Sequence, residues 1–563
     1  MDVDVDNFDE VVKLLEDLLP KANFVAVDCE MTGIQAGPDS QSSPGDTPQE
    51  RYWKGLKVVN KPLNLVQVGL SLFTETRGRE AFECRSFSFY VFPRQVDELD
   101  ANGHAIKEDQ YIGLTTSTVT FLQDNGIDLG RWLSKGISYT SPATEEALMS
   151  KLASLESEAA STSRPPPREV PEPTSLADIK MVEDAMNKVQ DMVEKALPEM
   201  MLPGMNNFLA LIVRSRIDER YPSLLVEKRP SPSNPRIQDR WVVAMNEETR
   251  SARVKEARSR TMKLLGFRRV WRLLKERRAP VIVHNGWFDL LFLTAAFEGP
   301  LPHHLKDWKQ MVTRALPYVF DTKYLAEDVP ALRGSLGSRS ALPELASALD
   351  EKLAQLTPTQ DAPSGAAPAL SFTSAEGCGF DGGGASWHNA AYDAFMTGKV
   401  FAYYRYLLGD DEVVTGYANH IFLMFSGFHI RLAQAADLFW MPGIVRFVHS
   451  MDHNFANNRS LQMMFKDIID DGRRRVNFRW CGGRSGTLLL IVQGPDASEG
   501  DEGYSALEAS FLQILKEQKA SGRLDFCTLE EHLKGFDPDA DREEKNDQEG
   551  AEDRPAKRLR AGS

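Results

Sequence analysis

The sequence predicts an α/β protein with more than one domain. Short segments rich in β-branched and aromatic residues alternate with longer segments of helical periodicity, which is the pattern of strands and helices packed in layers. Near the end of the chain the order of these segments is strand, helix, strand, strand, helix, strand. The length of 563 residues leaves room for several cores, because domains usually span roughly 100 to 200 residues.

The composition excludes several classes of protein. The chain has 66 Lys and Arg against 81 Asp and Glu, a formal net charge of −15, which argues against binding nucleic acid through bulk positive charge. No apolar run approaches the roughly 20 residues of a membrane span, and the acidic start differs from a secretory signal. The five cysteines form no Cys-x-x-Cys pair, so neither a zinc finger nor a disulfide framework is indicated. We therefore expect a soluble, intracellular protein without membrane contact.

Residues 1–155 are predicted to begin the first domain. Three strand-like segments stand out in this part, namely NFVAVDCEM, LNLVQVGLSLF and SFSFYVFP. They predict an antiparallel meander. Residues 156–175 are rich in Ser, Glu and Pro and predict a linker, because this composition does not support a packed core.

Residues 176–250 are predicted to be an inserted module. Two helical patterns, LADIKMVEDAMNKVQDMVEKAL and MNNFLALIVRSRIDERYP, are followed there by the strand-like RWVVAM. Residues 251–418 then return to alternating helices and strands, so we expect the first and third segments to form one domain. Within it, residues 356–386 are rich in Pro, Gly, Ala and Ser and predict a flexible loop.

Residues 419–535 carry the β-α-β-β-α-β order of ferredoxin-like and RNA-recognition-motif domains. Residues 536–563 are a charged segment that we expect to be disordered. It contains nine acidic residues between Asp537 and Asp553, followed by a basic cluster from Arg554 to Arg560. The basic cluster is typical of a nuclear import signal, although a merely solvated end explains it equally well.

Two carboxylates are predicted to lie together at the end of a strand. Alternation along FVAVDCEM places Asp28 and Glu30 on the same face as Ala26, with Val25 and Val27 on the other. Neighbouring carboxylates repel each other, and a divalent cation is the usual way to neutralise them; oxygen ligands suit Mg²⁺ or Mn²⁺. The alternative is an ordinary solvated strand end.

Three further side chains are candidates for the same site. Asp289 lies in the first turn of a predicted helix after the apolar strand VIVH, where capping of the helix dipole is the alternative explanation. Asp393 lies in an apolar helical run, where a carboxylate is expected to be paired or bound to metal. His388 precedes it by five residues, so it fits just before the helix or in its first turn, free to reach over the site.

The combined order D-x-E, D, H-x(4)-D resembles the DEDD superfamily of 3′-to-5′ exonucleases in its DEDDh form. The flanking segments resemble the CAF ribonuclease family of deadenylases in DCEMTGI, DTPQERYWKGLK, HNGWFDLLFL, FDTKYLAE and HNAAYDAFMTG. The domain order resembles the poly(A)-specific branch, with an Arg-x-x-x-His-type module inserted in the nuclease domain and an RNA-recognition-like domain after it. The resemblance implies an RNase H-like core, a mixed sheet flanked by helices. The insert departs from the family pattern, because Arg214 is followed four residues later by Asp218.

The resemblance implies hydrolysis of a phosphodiester with two Mg²⁺ ions, for which Mn²⁺ can substitute. Asp28 is implied to bridge both ions. Glu30 and Asp393 are implied to complete the site of the attacking water, and Asp289 to help hold the second ion. His388 is implied to be the general base, a role that suits histidine near neutral pH. The expected product is 5′-AMP.

Five other residues are weaker candidates. His284, Asn285, Asp321 and Lys323 lie beside the motifs, and a supporting or backbone-capping role explains them at least as well as contact with substrate. Trp480 lies where poly(A)-specific members place a tryptophan that stacks on the 5′ cap. A half-buried strand tryptophan is the alternative for this residue.

The implied partners are RNA with a 3′ poly(A) tail, the 5′ cap and a second copy of the chain, and the implied location is nucleus and cytoplasm. Trimming of snRNA or other small non-coding RNA is an alternative function. The snRNA-processing deadenylase of the family carries a CCCH zinc finger, which has no counterpart in this sequence. A catalytically inactive RNA-binding scaffold is a second alternative, and the four carboxylates with His388 argue against it. DNA proofreading fits poorly with the RNA-type modules.

Overall fold

The computed structural model describes most of the 563 residues. The residues outside the description are 36, 38–39, 41, 43–45, 101–103, 161–169, 232–233, 338, 357–369, 375–387, 410, 425, 440–443, 451–462, 467–474, 481–486, 494–499, 529 and 532–563. Among the described residues, no helix combines the length and apolarity needed to cross a membrane.

The helices of the described residues are α1 Phe8–Leu18, α2 Pro48–Val59, α3 Thr116–Asp124, α4 Leu129–Lys135, α5 Pro142–Ala160, α6 Leu176–Glu194, α7 Asn207–Arg220, α8 Glu247–Leu265, α9 Arg268–Arg277, α10 Trp287–Phe297, α11 Leu305–Ala315, α12 Thr322–Asp328, α13 Leu342–Leu356, α14 Ala390–Leu408, α15 Asp411–Gly416 and α16 Gly500–Ala520. A short 3₁₀ helix, Leu19–Lys21, follows α1.

The strands are β1 Asp2–Val3, β2 Phe24–Met31, β3 Leu65–Glu75, β4 Ala81–Tyr90, β5 Val96–Leu99, β6 Ala105–Glu108, β7 Glu199–Met201, β8 Leu224–Ser231, β9 Asn234–Ala244, β10 Val281–Val283, β11 Val319–Asp321, β12 Ser371–Ser374, β13 His420–Ile421, β14 Phe428–Arg431, β15 Leu438–Phe439, β16 Ile444–Ser450, β17 Arg475–Trp480, β18 Thr487–Gln493 and β19 Leu524–Cys527.

The described chain divides into two compact units. The first unit contains residues 1–94, 109–141 and 267–563, and the second contains residues 95–108 and 142–266. The second unit is larger than the predicted insert of 176–250, because it also includes α5, α8 and the hairpin of β5 and β6. Helix α8 packs on α5, although the sequence assigned most of α8 to the following domain. The insert as a separate domain stays a prediction.

A mixed sheet forms the centre of the first unit, with the strand order β1-β4-β3-β2-β10-β11-β13-β14-β15 and β12 paired to β4. Strands β2, β3 and β4 are antiparallel neighbours, so the predicted meander is confirmed. Strand β10 pairs parallel with both β2 and β11. This mixed α/β sheet flanked by helices is the predicted fold class.

The two faces of β2 contribute to two different cores. Val25 and Val27 pack among the side chains of one hydrophobic cluster, whereas Phe24 and Ala26 belong to a second cluster that includes residues of α14. Because side chains alternate along a strand, Asp28 lies on the α14 side of the sheet.

Helix α14 approaches the sheet closely at two glycines. A Cβ atom on Gly69 of β3 would lie 2.0 Å from the carbonyl oxygen of Ala390, and one on Gly398 would lie 2.0 Å from the ring of Phe73. Gly69 is the register partner of Asp28. The absence of a side chain at Gly69 therefore allows the start of α14 to lie against the strand that carries Asp28.

The structure moves the C-terminal boundary of the first domain. The sequence analysis began the RNA-recognition-like domain at residue 419, but β13 pairs parallel with β11, and β14 and β15 continue the same sheet. Strands of two to four residues carry no periodic pattern, which is why the sequence did not separate them. The nuclease-type sheet therefore extends to Phe439.

The C-terminal part forms a separate four-stranded antiparallel sheet with the order β17-β18-β16-β19. Helix α16 precedes β19, as the β-α-β-β-α-β prediction requires. Most of the first predicted helix of this region lies outside the described residues. Trp480 is the last residue of β17 and pairs with Leu488.

The second unit contains a three-stranded antiparallel sheet, β7-β9-β8. Helices α6 and α7 bury apolar side chains in a common cluster with Leu224 and Val242 of the sheet. Strands β7 and β8 were not predicted from the sequence. On α7, Arg214 forms an ion pair with Asp218 at 3.7 Å, so the residue in place of the signature histidine faces the arginine.

Three predicted irregular segments lie largely outside the described residues. Helix α5 extends to Ala160 inside the predicted linker of 156–175, whose residues 161–169 are not described. The predicted loop of 356–386 contains one described strand, β12, which pairs parallel with β4. The predicted tail of 536–563 lies wholly outside the description.

Candidate active site

Strand β2 presents two half-buried carboxylates at its end. Asp28 and Glu30 lie on the face of the sheet that α14 covers, opposite Gly69 and Gln67 of β3 in register. The strand becomes irregular immediately afterwards, with a register shift between Glu30 and Met31. The alternation of side chains thus brings both carboxylates to one surface, where strand β2 leaves the regular sheet.

Asp289 reaches the same strand from α10. The main-chain amide of Cys29 donates a hydrogen bond of 2.9 Å to Oδ1 of Asp289. Cys29 stands between Asp28 and Glu30 in the chain, so this bond fixes the third carboxylate beside the other two. Asp289 therefore bonds to strand β2, a role beyond capping its own helix.

Asp321 holds the turn that leads into α10. This side chain is fully buried and accepts hydrogen bonds from the main-chain amides of Asn285, Gly286, Lys323 and Phe422, at 2.8, 3.3, 3.0 and 3.1 Å. Asn285 has a left-handed backbone with φ of 54°. Because one carboxylate satisfies amides from three segments, Asp321 fixes where α10 begins and supports the position of Asp289.

His284 and Lys323 turn toward a neighbouring loop. Nδ1 of His284 lies 2.9 Å from the hydroxyl of Thr322, and burial together with the charge of Lys323 lowers the pKa of His284 to about 3. Nζ of Lys323 donates to the carbonyl of Ser340 at 3.3 Å. These contacts support the backbone-capping interpretation of both residues, since neither hydrogen bond involves the carboxylates of β2.

Asp393 and His388 meet at the start of α14. Asn389 caps the helix, and its side chain accepts hydrogen bonds from the main-chain amides of Ala391 and Tyr392 at 3.2 and 3.3 Å. His388 precedes the cap with a left-handed φ of 65°, and its main-chain amide donates to Oδ2 of Asp393 at 3.1 Å. The turn leaves the imidazole of His388 exposed while it remains beside the buried Asp393.

Glu30, His388 and Asp393 form a group that fits a metal ion. One ligand atom from each residue lies within 4.8 Å of the others. Oδ1 of Asp393 is buried and has no hydrogen-bond partner among the described residues. A buried carboxylate oxygen without a donor is costly, and a divalent cation would supply the missing partner.

The pKa shifts of the carboxylates also indicate a site for a cation. Burial, followed by the charges of Asp289, Asp393 and Glu30, holds the pKa of Asp28 well above its usual range. Burial and the charges of Asp393 and Asp289 do the same to the pKa of Glu30. Burial raises the pKa of both Asp289 and Asp393 to about 7, against the hydrogen bonds that each accepts. Four neighbouring carboxylates with raised pKa are the pattern of a site that needs added positive charge.

The sequence analysis did not identify several contributors to the site. Phe121 of α3 lies edge-on to the imidazole of His388, with ring centroids 4.9 Å apart, and its side chain is 44% exposed. The lack of a side chain at Gly69 allows α14 to approach the sheet, and the main-chain amide of Cys29 holds Asp289 by a hydrogen bond. The phenylalanine lies in an amphipathic helix and gave no separate signal. Trp480 belongs to the four-stranded sheet and is not part of this group.

A mixed sheet with four carboxylates and a histidine gathered at one strand end is the arrangement expected of a metal-dependent nuclease. The chain matches the profile of the CAF1 family ribonuclease over residues 3–401. It belongs to this family, and it is a 3′-to-5′ exoribonuclease similar to the poly(A)-specific ribonucleases.

Individual relatives are distant in sequence. The chain is 26% identical over 423 residues to poly(A)-specific ribonuclease PNLDC1 of Mus musculus, covering 72% of each chain. It is 25% identical over 447 residues to poly(A)-specific ribonuclease PARN of Xenopus laevis, covering 75% of this chain and 67% of the relative. It is 24% identical to the pre-piRNA 3′-exonuclease trimmer of Bombyx mori, covering 58% of each.

Among solved structures, the Mg²⁺- and Mn²⁺-bound form of Pop2p from S. pombe is similar to this chain at 15% identity. The match covers 75% of this chain and 98% of that one, with a TM-score of 0.35.

Proposed function

We propose that this protein is a Mg²⁺-dependent deadenylase that shortens the poly(A) tails of RNA from the 3′ end and releases 5′-AMP. The observation that carries the proposal is the convergence of Asp28, Glu30, Asp289, Asp393 and His388, whose ligand atoms, hydrogen bonds and pKa shifts link them into one site. The relatives in mouse and frog, both described as poly(A)-specific ribonucleases, support poly(A) as the substrate.

We propose that the four carboxylates hold two divalent ions. We assign Asp28 to both ions, Glu30 and Asp393 to the ion nearer His388, and Asp289 to the other. The unpartnered Oδ1 of Asp393 and the raised pKa of all four acids support this assignment. Bound Mg²⁺, or Mn²⁺ in its place, would activate a water molecule and stabilise the charge that develops on the leaving 3′ oxygen.

The side chains of the protein supply the remaining steps. The exposed imidazole of His388 accepts the proton of the attacking water, because its main-chain bond to Asp393 holds it over the same site. The half-exposed ring of Phe121 beside His388 offers a stacking surface for the terminal base. Such stacking tolerates any base, so adenine preference must come from the fit of several nucleotides together.

The proposal is tested by digesting RNAs with 3′ tails of A, U or C, with and without Mg²⁺. We expect shortening of the A-tailed RNA only with Mg²⁺, and its loss in Asp28→Ala. Asp191→Ala is the control, since this exposed aspartate pairs with the equally exposed Lys195 on the surface. Undiminished shortening by Asp28→Ala would refute the assignment. Binding of RNA by the wild type without any cleavage would favour the inactive-scaffold alternative.

Trimming of small non-coding RNA is the second candidate function, and the match to the silkworm pre-piRNA trimmer favours it. The two functions differ in their dependence on the 3′ sequence. Equal shortening of A-tailed and non-adenylated small RNAs of the same length would favour trimming, whereas a preference for the A-tailed RNA would favour deadenylation.

The remaining partner assignments belong to the same proposal. We propose that Trp480 stacks on the 5′ cap, that the chain forms a homodimer, and that it acts in nucleus and cytoplasm. Comparing capped and uncapped A-tailed RNA in the wild type and Trp480→Ala tests the first, and light scattering tests the second. Imaging of the full chain with and without residues 554–560 tests the nuclear location.

A further inference from the structure

A cavity of about 450 Å³ lies beside α12, between the segment that follows this helix and α14. Its wall includes the buried apolar side chains Leu332, Leu336 and Tyr404, and its rim includes Arg333 and Arg339. A cavity of a few hundred Å³ with an apolar floor and a few polar groups is the common form of a small-ligand site.

The two arginines at the rim are available to a ligand. Their side chains are 63% and 79% exposed. Arg339 lies 3.7 Å from its carboxylate neighbour Glu344, which is too far for a hydrogen bond. Arg333 uses its Nε for the carbonyl of Glu327 at 2.7 Å, and its terminal nitrogen is 3.9 Å from Asp328. Exposed pairs of this kind contribute little, so a phosphate can compete for both guanidinium groups.

Glu327, the acidic residue in the cavity wall, already has polar and basic neighbours. The carboxylate of Glu327 accepts a hydrogen bond from the hydroxyl of Ser340, and Nζ of Lys323 lies 4.0 Å from it. The backbone at Gly334 and Gly337 is open, since a Cβ atom on either would meet no atom within 4 Å. The rim therefore presents two exposed guanidinium groups whose carboxylate neighbours, Asp328 and Glu344, lie beyond hydrogen-bond distance.

Two structural elements place the cavity near the candidate active site. Ser340, in its wall, accepts a hydrogen bond from Lys323 at 3.3 Å and contacts His284 through its main chain. Along α14, Tyr404 follows Asp393 by eleven residues, which is about 16 Å at 1.5 Å per residue. Stacked nucleotides rise about 3.4 Å each, so this distance corresponds to roughly five nucleotides.

We propose that this cavity is a nucleotide-binding site, in which Arg333 and Arg339 hold a phosphate and the apolar floor receives the base. The inference rests on the proposed exoribonuclease function, because the ligand it names is the RNA chain upstream of the scissile bond. A free mononucleotide, the reaction product, has the same chemistry and is the other source of ligand.

The test uses the full chain with both arginines replaced, Arg333→Ala/Arg339→Ala. We expect KM for a 15-nucleotide A-tailed RNA to rise about tenfold or more, while kcat stays the same and a trinucleotide is cleaved as by the wild type. The salt dependence of binding should weaken by about 0.7 per lost phosphate contact. Arg77→Ala is the control, because Arg77 is an exposed arginine that pairs with the surface carboxylate of Glu80 and does not line the cavity. The double variant Arg333→Lys/Arg339→Lys should recover part of the affinity for the A-tailed RNA.

Binding of 5′-AMP to the same variants shows whether the ligand of the cavity is upstream RNA or the free mononucleotide. A rise in KM for the long RNA without a change in AMP affinity assigns the site to upstream RNA. A fall in AMP affinity with unchanged KM assigns it to the free nucleotide. Unchanged RNA and AMP binding in a folded double variant overturns the proposal. Equilibrium binding of a labelled A-tailed RNA keeps this result separate from the proposed function, since it is measured whether or not the wild type cleaves.

Discussion

The main-chain amide of His388 donates a hydrogen bond to Oδ2 of Asp393 at 3.1 Å. The histidine is exposed and the aspartate is buried, so the bond joins the backbone of a residue whose side chain faces solvent to a side chain that faces the sheet. Because the bond uses the backbone of His388, replacing its imidazole leaves the carboxylate in place.

We therefore expect His388→Ala to lose about 10²- to 10⁴-fold in kcat, the usual contribution of a general base, with little change in RNA affinity. Single-turnover rates and equilibrium binding of an A-tailed RNA measure the two effects. Phe121→Leu serves as a comparison, since it removes the ring beside His388 but no proton acceptor. An equal loss of binding and rate in His388→Ala would contradict the assignment.

The burial of the carboxylates predicts how stability depends on pH without metal. The pKa values of Asp289 and Asp393 are raised to about 7 by burial, so the folded state binds more protons than the unfolded state between about pH 4 and 7. Stability of the metal-free protein should therefore fall as pH rises through this window. We expect a lower Tm at pH 8 than at pH 5, measured by calorimetry in EDTA.

Asp28→Asn provides the matched variant for this experiment. It replaces a buried carboxyl whose pKa is held well above its usual range by burial and by the charges of Asp289, Asp393 and Glu30 with a neutral amide, so it should raise the Tm of the metal-free protein by a few degrees at pH 8 and by less at pH 5. Mg²⁺ should raise the Tm of the wild type more than that of Asp28→Asn. A wild-type protein that is more stable at pH 8 than the variant in EDTA would argue against repulsion.

Gly69→Ala is expected to disturb the site through the backbone. Its Cβ atom would lie 2.0 Å from the carbonyl oxygen of Ala390, and the start of α14 must then move away from β3. Overpacking of this kind costs about 1 to 3 kcal/mol or more, and the displacement of Asp393 should reduce kcat as well. Denaturant unfolding and activity assays measure both. Gly416→Ala, whose Cβ meets nothing within 4 Å, should change neither.

Asp321→Asn tests whether Asp321 positions Asp289. An amide group cannot accept hydrogen bonds on both sides, so at least one of the four main-chain amides loses its partner. Loss of such support usually reduces metal affinity or activity by about 10- to 100-fold. We expect a higher Mg²⁺ concentration for half-maximal activity and an unchanged KM for RNA at saturating Mg²⁺. The exposed Asp350→Asn is the control.

The sequence predicted the parts of the site that depend on local periodicity. The alternation of strand β2 brought Asp28 and Glu30 to one face, and the geometry of a helix placed His388 outside α14. The contacts that complete the site join distant segments and leave no local pattern. The bond from Cys29 to Asp289 spans 260 residues. The approach of Ala390 to Gly69 depends on the lack of a side chain in glycine.

The same limit explains the errors in domain boundaries. Helix α8 shows a strongly polar pattern that fits either domain, and only its packing on α5 assigns it to the second unit. Strands β13 to β15 are too short for an alternating pattern, and only their pairing joins them to the nuclease-type sheet.

The pairing of β10 between β2 and β11 has a consequence for biosynthesis. Until residue 283 has left the ribosome, one edge of β2 has no partner strand, and the nascent chain exposes Asp28 and Glu30 without the residues that complete their site. The second unit, residues 95–108 and 142–266, is synthesised in the meantime. The complete set of carboxylates exists only after Asp393 is made, so the candidate site cannot assemble while the residues before Asp393 are being translated.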